Sequence, residues 1–105
     1  MGAIVATSRT PDVLREVGAR LKALRLQQNL RVSDLAADSG VSPRTINRLE
    51  AGHSVGTENL VRVMRALGRL QAFEAFIPVP EVSPYDVERL RGNVRRRASR
   101  RGREW

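Results

Sequence analysis

Four polar side chains close together in the sequence carry hydrogen-bonding groups that match the edges of DNA bases. They are Arg44, Thr45, Asn47 and Arg48. Arginine forms two parallel hydrogen bonds with guanine, asparagine does the same with adenine, and threonine contributes a hydroxyl group. The apolar residues Ile46 and Leu49 lie three positions apart and therefore share one face of a helix. This spacing leaves the four polar side chains mostly on the outer face, where a helix in a DNA major groove presents its contacts.

The residues before this helix have the features of a sharp turn between two helices. Gly40 can adopt the left-handed backbone conformation that ends a helix. Ser42 and Pro43 then start the next helix, Ser42 as N-cap and Pro43 at the first helical position. Leu35 and Ala36 belong to the preceding amphipathic helix, and the small Ala36 lies where the two helices come closest. A helix, a short turn with glycine and a second helix predict a helix-turn-helix.

Several residues of this region have the types and spacing of a known family. They are Leu35, Ala36, Gly40, Val41, Ile46, Leu49, Glu50 and Gly52, with Arg25 upstream. The region resembles the DNA-binding domain of the Cro and lambda-repressor-like (XRE) family, and the resemblance extends over residues 11–68. It implies an all-α, five-helix domain. The chain departs from the family at Arg31 and Val32, where a Ser or Thr cap and a Gln are usual, and both differences remove expected polar contacts.

The resemblance also implies contacts around the recognition helix, residues 43–51. Arg25 is expected to form a structural salt bridge with Glu50, which would join the first helix to the end of the recognition helix; two unrelated surface charges are the alternative. Arg44 and Arg48 are the first candidates for base contact, and Thr45 and Asn47 are the second. The candidates for phosphate contact are Ser42, His53, Ser54, Thr57, Asn59 and Arg62. A solvated loop or a helix cap accounts equally well for each of the last five.

Composition favours an anionic partner and argues against catalysis. The chain carries a net charge of +8, and 18 of its 19 basic residues are arginine, with Lys22 as the exception. Such a surplus favours nucleic acid, although solubility alone is the alternative. The absence of cysteine excludes a disulfide framework and a zinc finger. With His53 as the single histidine and no paired acids, we predict no metal, no cofactor and no enzymatic activity.

The hydrophobic pattern divides the chain into three parts. Residues 1–9 are predicted to be a flexible arm, residues 10–77 the DNA-binding domain, and residues 78–105 a proline-bounded basic tail. Within the domain, Thr10-Pro11 should cap the first helix, which continues to about Gln28. Thr57 should cap a later helix that closes at Gly68. The apolar positions of the first helix are Leu14, Val17, Leu21 and Leu24. Those of the later helix are Leu60, Val61, Met64 and Leu67, and Val63 adds to them.

The segment after Gly68 is predicted to form a dimer interface. Its apolar residues are Leu70, Phe73, Phe76 and Ile77. A small core has limited room for two phenylalanines, so we expect this segment to pack against its counterpart in a second copy. Packing of both phenylalanines within one copy is the alternative. The tail holds eight arginines beyond Glu81. A short helix is predicted over residues 84–91, and residues 93–105 should be disordered when free.

The layout after the DNA-binding domain resembles a second group of proteins. The matching stretches are residues 66–80, 83–92 and 95–99, ALGRLQAFEAFIPVP, SPYDVERLRG and RRRAS. They look like the tails of HipB-type antitoxins, which implies an operon repressor that also binds a HipA-like toxin kinase. The alternatives are a stand-alone phage or plasmid-type repressor without such a partner, and an RNA-binding accessory factor.

The sequence also bears on location. No apolar run approaches the length of a membrane span, and no basic region precedes the short apolar run near the N-terminus. We therefore expect a cytoplasmic protein that binds palindromic double-stranded DNA as a homodimer.

Overall fold

The computed structural model describes residues 1–81, and the regular elements in that range are all helical. The five helices are α1 (Thr10–Gln27), α2 (Val32–Ser39), α3 (Pro43–Glu50), α4 (Thr57–Ala66) and α5 (Ala72–Phe76). The all-α, five-helix prediction is confirmed. The helix predicted over residues 84–91 and nearly all of the basic tail lie outside the described residues. No helix among residues 1–81 is both long and apolar enough to cross a membrane.

The two predicted boundaries at the turn between α2 and α3 follow the sequence signals directly. Gly40 has φ of 72° and ends α2, as predicted. Ser42 is the N-cap of α3, and its Oγ accepts the backbone N–H of Thr45 at 3.1 Å. Proline follows at the first helical position, where no N–H is needed. The turn between α2 and α3 is therefore fixed by glycine on one side and by a serine cap on the other.

The other two predicted caps are wrong by one residue. Thr10 is already the first residue of α1, and the N-cap is Arg9. Thr57 is the first residue of α4, and the N-cap is Gly56, whose φ is 88°. Neither helix has a side-chain hydrogen bond at its cap. The first four N–H groups of a helix have no partner within it, so Pro11 fits equally well one position further in.

The core lies where α2, α3 and α4 meet α1. Its buried residues are Leu21, Leu35, Val41, Ile46, Leu49, Val63 and Leu67. In α3, the inward pair is Ile46 and Leu49, as the spacing predicts. In α4 and at its C-cap, the most buried side chains are Val63 and Leu67, while Leu60 and Met64 are partly buried. The buried face of α4 is therefore centred on Val63 rather than on Leu60 and Met64, because Val63 lies on the face that packs on α2.

The contact between α1 and α3 depends on two glycines whose part in it the sequence analysis did not identify. Gly18 is buried, and a Cβ placed there would lie 2.7 Å from the carbonyl oxygen of Glu50 and closer still to that of Leu49. Gly52 has φ of +91°, and its Cβ would lie 2.7 Å from Cγ of Arg15. Backbone atoms of α3 fill the space of a methyl group at Gly18, and backbone and side-chain atoms of Arg15 fill it at Gly52. Only glycine allows α1 to approach the end of α3 this closely.

The N-terminal arm lies against α1. The backbone N–H of Gly2 donates to Oε1 of Glu16 at 2.7 Å. The carbonyl oxygen of Gly2 accepts from the Arg20 guanidinium at 3.0 Å, and Arg20 also pairs with Glu16 at 2.8 Å. These contacts hold the backbone of Gly2 against α1, and the apolar side chains of Ile4 and Val5 are exposed.

Candidate nucleic-acid interface

The outward surface of α3 is formed by polar side chains that the helix does not need for packing. Arg44, Asn47 and Arg48 are exposed, whereas Thr45 is half-buried. The hydroxyl of Ser42 donates to Oγ1 of Thr45 at 2.9 Å while it accepts the Thr45 backbone N–H. Thr45 is therefore held against the cap, and its own hydroxyl proton is still available to an acceptor.

The geometry of α3 orders these side chains by direction. With about 3.6 residues per turn, the mean direction of Ile46 and Leu49 is about 170° from that of Arg44. Arg48 lies about 40° to one side of Arg44, and Asn47 about 60° to the other. Since Ile46 and Leu49 point into the core, Arg44 points almost directly away from it. These three side chains form the most protruding row of the helix.

The outward surface of α3 carries positive charge without a neighbouring acid to neutralise it. Within residues 1–81 five ion pairs are found, and neither Arg44 nor Arg48 takes part in any of them. The single acid of α3, Glu50, is turned inward and is bound by Arg25. Both guanidinium groups on this surface can therefore bind an external anion or base edge.

A buried ion pair fixes the angle of α3. Nε and Nη2 of Arg25 donate to the two carboxylate oxygens of Glu50 at 2.7 and 3.0 Å, and both side chains are 8% exposed. Nη1 of Arg25 donates to the carbonyl oxygen of Leu30 at 2.9 Å. The hydrogen bonds to Glu50 raise the pKa of Arg25 above its ordinary value. One side chain thus connects α1, the entry to α2 and the last residue of α3.

At the start of α2, the N-cap position holds Arg31 instead of the usual Ser or Thr, and an acid, Asp34, follows three residues later. The Asp34 carboxylate accepts the backbone N–H of Arg31 at 2.8 Å, which is the reciprocal half of a capping box. This hydrogen bond, with a weaker one from the Arg31 guanidinium, holds the pKa of the Asp34 carboxyl below its ordinary value of 3.8. Val32 is half-buried against the core. The helix α2 therefore begins without a side-chain cap hydrogen bond from Arg31, and Val32 contributes to packing rather than to a polar contact.

The loop after α3 and the start of α4 contain the remaining candidates for phosphate contact. His53, Ser54 and Thr57 are exposed. The amide of Asn59 donates to the carbonyl oxygen of Val55 at 2.7 Å, and Arg62 pairs with Glu58 at 2.8 Å.

Of the five candidates, His53, Ser54 and Thr57 are therefore exposed, whereas the side chains of Asn59 and Arg62 already have partners. The role of Asn59 in closing the loop could not be read from the sequence, because it depends on where the loop turns.

The apolar segment around α5 is largely uncovered. Phe73 and Phe76 make an edge-to-face contact with ring centroids 5.8 Å apart. Phe73 is half-buried, but Phe76 is 68% exposed and Ile77 is 72% exposed. Leu70 is also exposed at the edge of this surface. A groove of about 230 Å³ beside Phe76 is lined by Val17, Leu60, Met64, Ala72, Phe73 and Phe76. Phe76 thus packs on Phe73 along one edge and leaves most of its surface exposed.

These features define a helix-turn-helix whose second helix, α3, has a cationic outward surface. Among residues 1–81, no group of acids and histidine is arranged to hold a metal ion. Residues 21–71 match the protein-family model described as Helix-turn-helix, from within α1 to just before α5. The match supports the Cro and lambda-repressor-like type of domain and a DNA-binding regulator of transcription. No curated protein matches the chain at a significant level.

Proposed function

We propose that this protein is a sequence-specific transcriptional repressor that binds a palindromic operator as a homodimer. Each α3 would enter a major groove, and two-fold symmetry would place the half-sites about 34 Å apart, one turn of DNA. The observation that carries the proposal is the outward row of Arg44, Asn47 and Arg48, without an ion pair among the described residues. The surplus of positive charge in the chain supports the same function.

The exposed apolar surface of α5 supports the homodimer. Leu70, Phe76 and Ile77 are large apolar residues on one short segment, and each is exposed in a single copy. Contiguous exposed apolar surface of this kind marks an interaction site. A two-fold axis through α5 would bring the same residues of two copies together, since such an interface uses one patch twice.

The proposal is tested by DNA binding with matched variants. The DNA is the region upstream of the protein's own gene, and the measurement is fluorescence anisotropy at low salt. We expect the variant with both Arg44→Ala and Arg48→Ala to lose specific binding. A control with Arg65→Ala and Arg69→Ala removes the same charge from exposed positions outside α3 and should keep most of it. Equal losses for the two variants would contradict a role of α3 in recognition.

We further propose that the protein is the HipB-like antitoxin of an operon that it represses itself, with a HipA-like kinase as its partner. This finer function is supported by the likeness of residues 66–80, 83–92 and 95–99 to the tails of such antitoxins. A repressor of its own operon would act in the cytoplasm, where that DNA lies. The test is co-expression with the product of the adjacent gene. A stable complex with a kinase would support it, whereas a lone gene would favour a stand-alone repressor.

A further inference from the structure

We propose that each half-site of the operator presents two guanines in its major groove, about two base pairs apart. Arg44 would bind one of them and Arg48 the other. The inference rests on the proposed function and adds the base identity and spacing that α3 selects. It makes these two arginines the main determinants of sequence preference, ahead of Thr45 and Asn47.

The spacing follows from the helix. Arg44 and Arg48 are four residues apart, so their Cα atoms are separated by about 6 Å along the axis of α3. Successive base pairs are about 3.4 Å apart. When a helix lies along the groove, one turn of it therefore covers about two base pairs. Two side chains that point in nearly the same direction then meet different base pairs.

The base identity follows from the chemistry of the side chains. A guanidinium has a planar fork of N–H donors that matches N7 and O6 of guanine, and adenine, cytosine and thymine do not offer that pair of acceptors. Both forks are exposed and lack ion pairs within residues 1–81, so binding a base breaks no internal contact of the kind that Arg62 makes with Glu58.

The direction of Arg44 and Arg48 favours bases over phosphates. The groove floor faces the part of the helix that protrudes most, while phosphates line its edges. Arg44 lies about 170° from the mean direction of the buried Ile46 and Leu49 and therefore points to the floor. Thr45 lies about 100° from Arg44 and is bonded to Ser42 beside the helix start, so it faces an edge of the groove.

The experiment selects binding sites from a random DNA pool with four proteins: wild type, Arg44→Ala, Arg48→Ala and the control Arg65→Ala. For wild type and control, the selected half-sites should hold two guanines about two base pairs apart. Each α3 variant should lose the preference at one of these positions and keep the other. Circular dichroism should be unchanged in all four, because the substituted side chains are exposed.

A quantitative test replaces one guanine–cytosine pair of the selected site by adenine–thymine. Wild type should bind the altered site roughly 5- to 150-fold more weakly. The variant that lacks the arginine facing that base should show almost no further loss, since the interaction is already absent. An equal loss in wild type and variant would overturn the inference.

The outcomes separate the inference from the proposed function. Selected half-sites without paired guanines, or a loss at the same position in both variants, would overturn the guanine assignment while specific DNA binding stands. A pool that yields no sequence preference, or no binding at low salt, would overturn the repressor function and the inference together.

Discussion

At the scale of single residues, the buried pair of Arg25 and Glu50 is the polar contact on which the position of α3 depends. Removal of one partner leaves a charge in a nearly water-free site, which costs far more than the pair contributes. We expect Glu50→Ala to lower the free energy of unfolding by about 3 kcal/mol, measured by urea denaturation. Glu58→Ala breaks the exposed pair with Arg62 and should cost less than about 1 kcal/mol. Similar losses would mean that the buried pair is not structural.

Gly18 gives a prediction whose sign opposes helix propensity. Alanine in place of glycine within a helix ordinarily stabilises it by about 1 kcal/mol. At Gly18 the added methyl group would meet the carbonyl oxygens of Leu49 and Glu50, so we expect a net loss of about 1–3 kcal/mol. The measurement is the urea midpoint of Gly18→Ala. A rise in the midpoint would mean that α1 and α3 can separate without cost.

Asp34 should make the stability depend on pH in the acidic range. Its pKa is lowered in the folded protein, so the stability that it contributes is present above the ordinary value of 3.8 and is lost as the pH falls below it. We expect the melting temperature of wild type to fall more between pH 6 and pH 3 than that of Asp34→Asn. Asp38→Asn, at an exposed position of the same helix, should follow wild type.

At the scale of elements, local signals predict α3 well because they are all close in sequence. Ser42, Pro43, Ile46 and Leu49 specify its start and its inner face without reference to the rest of the chain. The predicted caps at Thr10 and Thr57 are one residue too late, because a threonine and its predecessor can each be the last non-helical residue. Which residue is the N-cap depends on its backbone φ and ψ angles, and the type of side chain constrains these angles only weakly.

Contacts between elements are harder to predict. Gly18 lies on the stripe of Leu14, Leu21 and Arg25, and a glycine in that place was the available signal for a close approach of helices. The amide of Gln28 donates to the carbonyl oxygen of Leu67 at 2.8 Å and connects the end of α1 to the end of α4. No local pattern predicts such a contact, since its partners are far apart in sequence.

At the scale of the whole molecule, the exposed segment at α5 predicts the oligomeric state. We expect wild type to sediment as a dimer at micromolar concentration and Phe76→Glu as a folded monomer, because a charge cannot be buried at a self-complementary apolar interface. Leu26→Glu is a matched control, since Leu26 is an equally prominent apolar residue on α1 with 58% exposure. A Phe76→Glu dimer would exclude α5 as the interface.

The basic tail predicts the salt dependence of DNA binding. Residues 93–105 hold six arginines and one acid. If these arginines neutralise phosphates, their removal should flatten the plot of log affinity against log salt by about 0.9 for each phosphate that is no longer neutralised. The measurement is a salt titration of operator binding with and without residues 93–105. An unchanged slope would assign the tail to a protein partner or to no partner.

The separation within α3 between its inward and outward residues has a consequence for how this protein can change. Ile46, Leu49 and Glu50 hold the scaffold, whereas Arg44, Asn47 and Arg48 make no side-chain hydrogen bond or ion pair within residues 1–81. If these three residues bind bases as proposed, substitutions at the outer positions should redirect the protein to a new target sequence while its melting temperature stays the same. Diverged copies could acquire separate regulons by exchanging only three codons.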